Sequence, residues 1–262
     1  MLPPFSVAIP CFNEAARIGD TVRSTLDYLS AESPDAELIV VNDGSTDATS
    51  TIVREALSGA KIQTRLLENF PNRGKGAAVR TGLLAATKPI GLFFDADLST
   101  PLSEIPKVIG PIAQGDVDLA FGSRALDRKL IGIRQPWRRE QAGRVFNLIV
   151  RFATGMPFWD TQCGFKAFRL DVCRPILEKA HTIGFAFDVE LLFLAYQAGL
   201  RLREIPVRWN HAEGSKVHVI HDSLRMLREV IVHRLVLADD QIRFSVFDNP
   251  DWSAVLDTLR TA

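Results

Sequence analysis

The chain has 262 residues, of which 47% are hydrophobic and 24% are charged, the profile of an ordinary globular protein with one large core. Its 31 basic and 31 acidic residues cancel to a formal net charge of zero. This balance argues against a domain that binds nucleic acid through bulk positive charge, so we expect no nucleic acid among its partners.

The cysteines, the first residues and the lengths of the apolar segments give no sign of secretion or of a membrane span. Cys11, Cys163 and Cys173 form no close pair and no metal-ligand spacing, which predicts free thiols in a reducing compartment. The first residues lack the basic start and apolar core of a signal peptide. No segment reaches the run of about 18 apolar residues that spans a bilayer. We expect a cytoplasmic protein, peripheral on the cytoplasmic membrane face.

The first half alternates strand-like and helix-like segments, the pattern of a parallel sheet with crossover helices. Helices are predicted after Asn13 as N-cap, after Thr46 or Asp47, and over residues 76–86. Strands are predicted at residues 6–10, 37–41, 62–67, 90–94 and 117–121. The fold class is therefore α/β, with a central, mostly parallel sheet flanked by helices.

The second half has a different character. Residues 134–151 are basic and aromatic, residues 160–168 have the spacing of a strand, and residues 188–197 form an apolar helix. Residues 202–209 predict another strand. Because Pro206 cannot donate a backbone hydrogen bond, we expect this strand at an edge of the sheet.

A long amphipathic helix is predicted from Asp222 or Ser223 to about residue 237. We assign residues 1–237 to one main domain and residues 238–262 to a C-terminal helical extension. The sequence gives this extension no function of its own. It is equally suited to pairing two copies of the chain as a homo-oligomer.

The most informative feature is the apolar run of residues 90–94, which ends in two carboxylates one residue apart, Asp95 and Asp97. Ionised carboxylates are costly inside a core, so both must emerge at the carboxyl end of the strand. Open α/β sheets bind ligands at that edge. Two hard oxygen ligands suit Mg²⁺ or Mn²⁺, which in turn suits a diphosphate. Taken alone, the run is equally consistent with a strand that enters a polar turn.

Three other polar segments flank predicted elements, at residues 10–14, 43–47 and 72–76. If the sheet is parallel, all three meet Asp95 and Asp97 in one crevice. Carboxylates there can bind a base and ribose, and backbone amides with Lys75 can bind negative charge. As an isolated triplet between two glycines, however, Lys75 is also consistent with a flexible surface turn.

These segments resemble the family 2 glycosyltransferases with the GT-A fold. The resemblance rests on Ile9-Pro10-Cys11-Phe12-Asn13-Glu14, Val41-Asn42-Asp43-Gly44-Ser45-Thr46-Asp47, Arg73-Gly74-Lys75-Gly76 and Asp95-Ala96-Asp97. Downstream motifs are similar to the polyprenyl-phosphate branch, most of all to dolichyl-phosphate β-glucosyltransferases, with dolichyl-phosphate mannose synthases as relatives. Those motifs are Gly122-Ser123-Arg124, Asp160-Thr161-Gln162-Cys163-Gly164-Phe165-Lys166 and Phe187-Asp188-Val189-Glu190.

On the donor side, the resemblance implies a role for each matching residue. Asp95 and Asp97 match the metal motif for Mg²⁺ or Mn²⁺, and Ala96 between them lies against the donor. Lys75 lies by the sugar or the diphosphate. Ser99 stands where mannose synthases often have a Gln, which makes it a weaker metal ligand. The positions that hold the nucleotide base and ribose are matched by Pro10, Phe12, Glu14 and Asp43.

On the acceptor side, charge decides the chemistry. A phosphate monoester is largely ionised at neutral pH, because its second pKa is about 6, so it needs cations rather than a general base. We expect Arg124 to clamp it together with an arginine among Arg138, Arg139 and Arg144. Residues 134–159 are the predicted acceptor or membrane-interface segment. Packing of this segment in the core would explain its apolar residues equally well.

The resemblance places Asp160, Gln162, Asp188 and Glu190 near the sugar, where they bind and position its hydroxyls. In relatives with alcohol acceptors, the region from Asp188 to Glu190 would supply the catalytic base. The simpler interpretation of these two acids is that they stabilise the first turn of a helix. A basic loop that closes over the diphosphate is expected at Ser215 and Lys216.

The sequence therefore predicts an inverting, metal-dependent glycosyltransferase that moves a hexose from a nucleotide sugar to polyprenyl or dolichyl phosphate. The resemblance alone favours UDP-glucose as the donor, with GDP-mannose as the alternative. A second hypothesis keeps the fold but gives it a soluble glycan or protein acceptor, which would make Asp188 or Glu190 indispensable as a base. A third is a non-catalytic module that binds nucleotide sugars without turnover.

Overall fold

The computed structural model describes residues 2–184 and 186–211. Four sequence predictions lie outside these residues: the helix that starts at Asp222 or Ser223, the extension at residues 238–262, and the loop residues Ser215 and Lys216.

Strands and helices alternate along most of the described chain. The strands are β1 (Phe5–Cys11), β2 (Glu37–Asn42), β3 (Gln63–Glu68), β4 (Ile90–Phe94), β5 (Leu119–Ser123), β6 (Phe165–Arg169) and β7 (Leu202–Pro206). The helices are α1 (Ile18–Glu32), α2 (Thr49–Leu57), α3 (Lys75–Ala85), α4 (Ile105–Ala113), α5 (Trp137–Thr154), α6 (Leu170–Lys179) and α7 (Phe187–Gln197). Short 3-10 turns occupy Leu102–Glu104 and Arg128–Leu130.

One sheet runs through the described chain in the order β3-β2-β1-β4-β6-β5-β7. Strands β1 to β4 are parallel to one another, and β5 is parallel to β7. Only β6 is reversed, between β4 and β5. The predicted α/β class with a mostly parallel sheet is confirmed. Strand β7 lies at an edge, as the proline inside it required.

The boundaries differ from the prediction in two places. Asn13 does not cap α1, which begins at Ile18; it adopts a positive φ of 51° in the preceding loop. The strand expected at residues 160–168 begins only at Phe165, because residues 160–164 form a turn.

Helices α4 and α6 were missed by the sequence analysis. Each contains a proline, Pro111 in α4 and Pro175 in α6, which reads as a helix breaker in sequence. Both helices nevertheless bury apolar residues against the sheet, among them Val108 and Ile109 in α4 and Leu177 in α6. Burial of an apolar stripe therefore outweighs the hydrogen bond that each proline removes.

The side chains of each strand alternate between two cores, one on each face of the sheet. Val7 and Ile9 of β1 pack beneath α1, α2 and α4, while Ala8 faces α3, α5, α6 and α7. Helix α3 lies especially close to the sheet. A Cβ atom at Gly82 of α3 would stand only 2.7 Å from the Cβ of Ala8. The glycine thus sets the depth at which α3 packs.

We expect Gly82→Ala to lower the free energy of unfolding by about 1–3 kcal/mol, because the added methyl group overpacks the contact with Ala8. Urea unfolding measures this change. Gly143→Ala in α5 is the matched control, since nothing lies within 4 Å of the atom that it adds. That variant should be neutral or gain up to about 1 kcal/mol from helix propensity. Equal effects of the two substitutions would contradict the close packing of α3.

Candidate active site

The loops after β1 and β2 are joined by hydrogen bonds at the carboxyl edge of the sheet. The Thr46 amide donates to Asn13 Oδ1 at 2.8 Å, and the Asn13 amide donates to Ser45 Oγ at 2.9 Å. The Glu14 amide donates to Thr49 Oγ1 at 2.8 Å. Asn13 therefore ties two loops together instead of capping a helix. This arrangement brings the segments predicted to hold a base and ribose together at the carboxyl edge of the sheet.

Three of the four predicted base and ribose residues belong to this first loop or its strand. Pro10 is buried within β1, whereas the ring of Phe12 is 37% exposed at the mouth of the crevice. The carboxylate of Glu14 pairs with Arg17 at 2.8 Å. Phe12 thus offers an apolar face, and Glu14 an acid, at the same edge.

The fourth, Asp43, is buried and shapes the loop that leads into α3. Its Oδ1 accepts a hydrogen bond from Asn69 Nδ2 at 2.8 Å. Its Oδ2 accepts from the backbone amide of Gly74 at 2.7 Å, and both oxygens accept from the amide of Arg73. The carboxylate therefore fixes the backbone directly in front of Lys75.

The two glycines that flank Lys75 are required by packing. Gly74 has a positive φ of 97°, and a Cβ atom there would stand 2.4 Å from the Ile183 carbonyl oxygen. A Cβ atom at Gly76 would stand 2.5 Å from the Thr182 carbonyl oxygen. The flexible surface turn considered for this triplet is therefore wrong. Lys75 is the first residue of a helix whose start is pressed against the chain at residues 182–183.

Lys75 reaches the predicted metal motif. Its Nζ lies 2.6 Å from Oδ1 of Asp95. Burial alone would lower the pKa of Lys75, but the carboxylates of Asp95 and Asp188 outweigh it and raise the pKa. The ammonium therefore stays charged. Asp97 lies two residues further on, and its Oδ1 accepts a hydrogen bond from the Ser99 amide at 2.9 Å.

The backbone of the motif is anchored between its two acids. Ala96 is buried, and its carbonyl oxygen accepts a hydrogen bond from Thr21 Oγ1 at 2.6 Å. Among residues 2–184 and 186–211, no three His, Cys, Asp or Glu side chains gather as a ready-made metal site. Asp95 and Asp97 nonetheless fit Mg²⁺ or Mn²⁺, because such ions take one or two carboxylates and complete their shell with water and substrate phosphates.

Arg124 and Asp160, predicted for acceptor and sugar, are bound to each other. Arg124 Nε and Nη2 donate to the two carboxylate oxygens of Asp160, each at 2.7 Å, and its backbone amide donates at 2.9 Å. Burial by itself would raise the pKa of Asp160, but the guanidinium outweighs it and holds the pKa below its ordinary value. Within the described residues, Nη1 of Arg124 donates to no protein atom. Trp209 lies 5.5 Å from the guanidinium carbon.

Glu204 of the edge strand β7 supports this pair and was missed by the sequence analysis. Its Oε1 accepts hydrogen bonds from the Asp160 amide at 2.8 Å and from Ser123 Oγ at 2.6 Å. Gln162 lies in the same turn, two residues after Asp160. A single glutamate in an edge strand carries no local signal, so only the strand order reveals its role.

Lys166 is the second residue that the sequence analysis missed. It lies on β6 with 0% of its side chain exposed and pairs with Asp188 in the first turn of α7. Its Nζ also donates to the Cys163 carbonyl oxygen at 2.6 Å. Burial raises the pKa of Asp188 by more than Lys166 and Lys75 lower it. The signal available in sequence was a lysine inside an otherwise apolar strand.

The carboxylate of Glu190 is engaged by backbone amides of a neighbouring segment. It accepts hydrogen bonds from the amides of His181 at 2.9 Å and Thr182 at 2.8 Å. The next residue, Ile183, accepts from the Gly76 amide at 2.8 Å. Glu190 therefore braces the segment that supports the start of α3, and with it Lys75.

The cysteines take no part in charge chemistry. Cys11, Cys163 and Cys173 are all buried free thiols, as predicted. Burial raises the pKa of Cys163 to about 12, although that residue lies beside the Arg124 and Lys166 ion pairs. A thiol with such a pKa remains protonated at neutral pH, so Cys163 packs as a small hydrophobic residue.

Helix α5 forms the core of the predicted acceptor or membrane segment. It buries only Phe146, Val150 and Ala153. Core packing therefore explains one stripe of the helix, and a second apolar stripe is exposed. Phe152 is 88% exposed and Trp137 71% exposed. The other exposed apolar side chains of the segment are Val145, Leu148, Ile149 and Trp159.

Basic residues border this exposed stripe. Arg139 lies in the first turn of α5, and Arg144 pairs with Glu140 of the same helix at 3.2 Å. Arg128 also contacts Glu140 and so links the preceding turn to the helix. Arg151 stacks 3.5 Å above the Trp159 ring. In the described parts of the chain, no helix is both long and apolar enough to cross a membrane.

Residues 6–177 match the family Glycosyl transferase family 2. The chain belongs to this family. It is 33% identical over 247 residues to the dolichyl-phosphate beta-glucosyltransferase of Saccharomyces cerevisiae, a match that covers 88% of this chain and 74% of that protein. Its identity to the Drosophila melanogaster protein of the same name is 37% over 240 residues, which cover 87% and 73% of the two chains.

The fold of this glycosyltransferase is shared with solved structures. Glucosyl-3-phosphoglycerate synthase from Mycobacterium tuberculosis, crystallised with Mn²⁺, UDP and its product, superimposes with a TM-score of 0.61 at 21% identity. The match covers 89% of this chain and 79% of that one. The predicted GT-A fold and glycosyltransferase class are thereby confirmed.

We expect Lys166→Met to lower the free energy of unfolding by about 3–5 kcal/mol at neutral pH, because it leaves the buried Asp188 carboxylate without its partner. The pKa of Asp188 is raised by burial, so this acid is neutral in the folded state at low pH. The loss in the free energy of unfolding should therefore become smaller as the pH falls toward the pKa that Asp188 has in the unfolded chain. Urea unfolding at pH 7 and pH 5 measures it.

The double variant Lys166→Met/Asp188→Asn is the control for this prediction. It also removes the negative charge of Asp188, which the single variant leaves buried without a partner. The double variant should therefore recover a substantial part of the lost stability at pH 7. A loss that is the same at both pH values, or the same in both variants, would contradict the ion pair.

Proposed function

We propose that this glycosyltransferase transfers glucose from UDP-glucose to dolichyl phosphate or another polyprenyl phosphate, with inversion at the anomeric carbon and with Mg²⁺ or Mn²⁺. The main support for this proposal is that both acids which could serve as a general base are engaged in contacts within the protein. Asp188 is paired with Lys166, and Glu190 accepts two backbone amides. The names of the relatives support the same acceptor.

The donor side follows from the crevice. Asp95 and Asp97 would hold the divalent cation, which when bound neutralises negative charge on the departing diphosphate. Lys75 contributes a positive charge at the start of α3. We assign the base and ribose to the crevice residues Pro10, Phe12, Glu14 and Asp43, and we favour UDP-glucose over GDP-mannose because of the relatives' names.

The acceptor needs positioning rather than deprotonation. An oxygen of the phosphate attacks the anomeric carbon as the bond from that carbon to the diphosphate oxygen breaks, and no proton has to move. Arg124, oriented by Asp160, presents Nη1 to that phosphate, and Arg139 and Arg144 of α5 add positive charge. Gln162 lies in the same turn as Asp160, and both stay assigned to the sugar side.

The soluble-acceptor hypothesis is less well supported. A sugar or protein hydroxyl must lose a proton, which requires a base with an available carboxylate. Asp188 has only 5% of its side chain exposed and already pairs with Lys166. We therefore keep the phosphate acceptor, for which Asp188 and Glu190 act at the catalytic centre as positioning residues.

We further propose that the exposed stripe of α5 meets the membrane that contains the lipid acceptor. Aromatic and aliphatic side chains beside arginines suit the headgroup region of a bilayer. In this arrangement residues 134–159 form the acceptor and membrane segment of a peripheral protein. The cytoplasmic membrane face is the location that we favour.

We expect Asp97→Asn to reduce glucose transfer by about 10²-fold or more, because the amide is a poor ligand for a divalent cation. The assay is the transfer of radiolabelled glucose from UDP-glucose to dolichyl phosphate in detergent with Mn²⁺, with chelator as a second control. Asp35→Asn removes the same charge from an exposed site before β2 and should retain activity. Normal activity of Asp97→Asn, with its fold intact, would refute the metal assignment.

We expect Phe152→Ser to weaken binding to vesicles of phosphatidylcholine and phosphatidylserine by about tenfold, because it removes an apolar side chain that would be buried in the lipid. Co-sedimentation measures the bound fraction. Phe70→Ser is the matched control, since Phe70 is 92% exposed but lies outside the α5 segment. Equal losses in the two variants would show that binding is nonspecific and not mediated by α5.

A further inference from the structure

In the predicted metal motif, Asp95 forms an ion pair with Lys75 of the protein itself. Lys75 Nζ lies 2.6 Å from Asp95 Oδ1, the distance of a direct ion pair. Its ammonium therefore lies directly against the first of the two predicted metal ligands. A divalent cation bound to the same carboxylate would lie close to this ammonium, and two positive charges at such a short separation repel each other.

The backbone of Gly164 limits the rotation of the Asp95 carboxylate. Its carboxylate lies against the backbone of Gly164, where an added Cβ atom would stand 2.2 Å from Oδ2. Its amide donates to the Gly164 carbonyl oxygen at 3.2 Å. Gly164 therefore limits how far the carboxylate can turn away from Lys75, so a metal ion bound to Asp95 would be repelled by the Lys75 ammonium.

Lys75 can leave Asp95 without losing every favourable contact. Its Nζ lies 5.7 Å from the centre of the Phe187 ring, on the face that attracts cations. The carboxylate of Asp188 also raises the pKa of Lys75 and so helps to keep it charged. Lys75 also stands at the start of α3, where backbone amides attract an anion and disfavour an ammonium.

We infer that Lys75 takes the place of the divalent cation at Asp95 in the free enzyme and moves onto the diphosphate when the metal-bound sugar nucleotide enters. Before loading, the ammonium relieves the repulsion between Asp95 and Asp97. After loading, the charges of the metal and the diphosphate cancel, so the net charge of Asp95, Asp97, Lys75 and the bound donor is the same as before. The inference rests on the proposed metal site and adds an exchange of partners to it.

The test is the affinity of the nucleotide-free protein for Mn²⁺, measured by electron paramagnetic resonance, in the wild type and in Lys75→Met. Removal of the competing ammonium should tighten Mn²⁺ binding about three- to tenfold. At saturating Mn²⁺ the same variant should bind UDP several-fold more weakly, because the diphosphate loses its lysine. Lys61→Met, which removes an exposed lysine before β3, should change neither affinity.

The outcomes separate this inference from the function on which it rests. If Lys75→Met binds Mn²⁺ no tighter than the wild type, and Asp97→Asn binds none, the metal site stands and the exchange is wrong. If only the UDP affinity changes, Lys75 is a donor ligand without the exchange. If the wild type binds no Mn²⁺ even with UDP present, the metal site of the proposed function fails, and the inference fails with it.

Discussion

The candidate site of this protein depends on the rule that a buried or half-buried carboxylate must be paired or solvated. Three ion pairs satisfy it, and each joins separate elements of the fold. Lys75 of α3 meets Asp95 after β4, Arg124 after β5 meets Asp160 before β6, and Lys166 of β6 meets Asp188 of α7. The charges that suit a diphosphate and a phosphate therefore also hold the crevice together.

The second constraint is close backbone approach. The start of α3 is clamped between the buried Asp43 and the segment at residues 181–183, which Glu190 holds by its two amide hydrogen bonds. Only glycine fits beside Lys75 on either side. The backbone at Lys75 is therefore held in place by residues that are distant in sequence and do not themselves carry the charge. The site is thus built before any ligand binds, which reduces the entropy cost of holding the donor.

The charged groups predicted for the acceptor side suit a phosphate that needs no base. An ionised phosphate needs cations and not a base, and the charged groups follow that division: Asp188 and Glu190 are engaged, while Arg124 keeps one nitrogen directed away from its partner. The exposed stripe of α5 adds apolar surface next to arginines. A lipid that carries a phosphate combines both properties, which connects the chemistry of the crevice with the surface beside it.

The sequence by itself determined the mostly parallel sheet and the family, because apolar periodicity and strand-end motifs are local signals. It also placed the aspartate pair at the end of β4. Only the tertiary structure decided which charges meet. Arg124 and Asp160 are 36 residues apart and Lys166 and Asp188 are 22 apart, and they pair because β6 runs backwards between β4 and β5. Helices with internal prolines and the supporting Glu204 escaped detection for the same reason: their stability and role come from burial and strand order, which no local pattern contains.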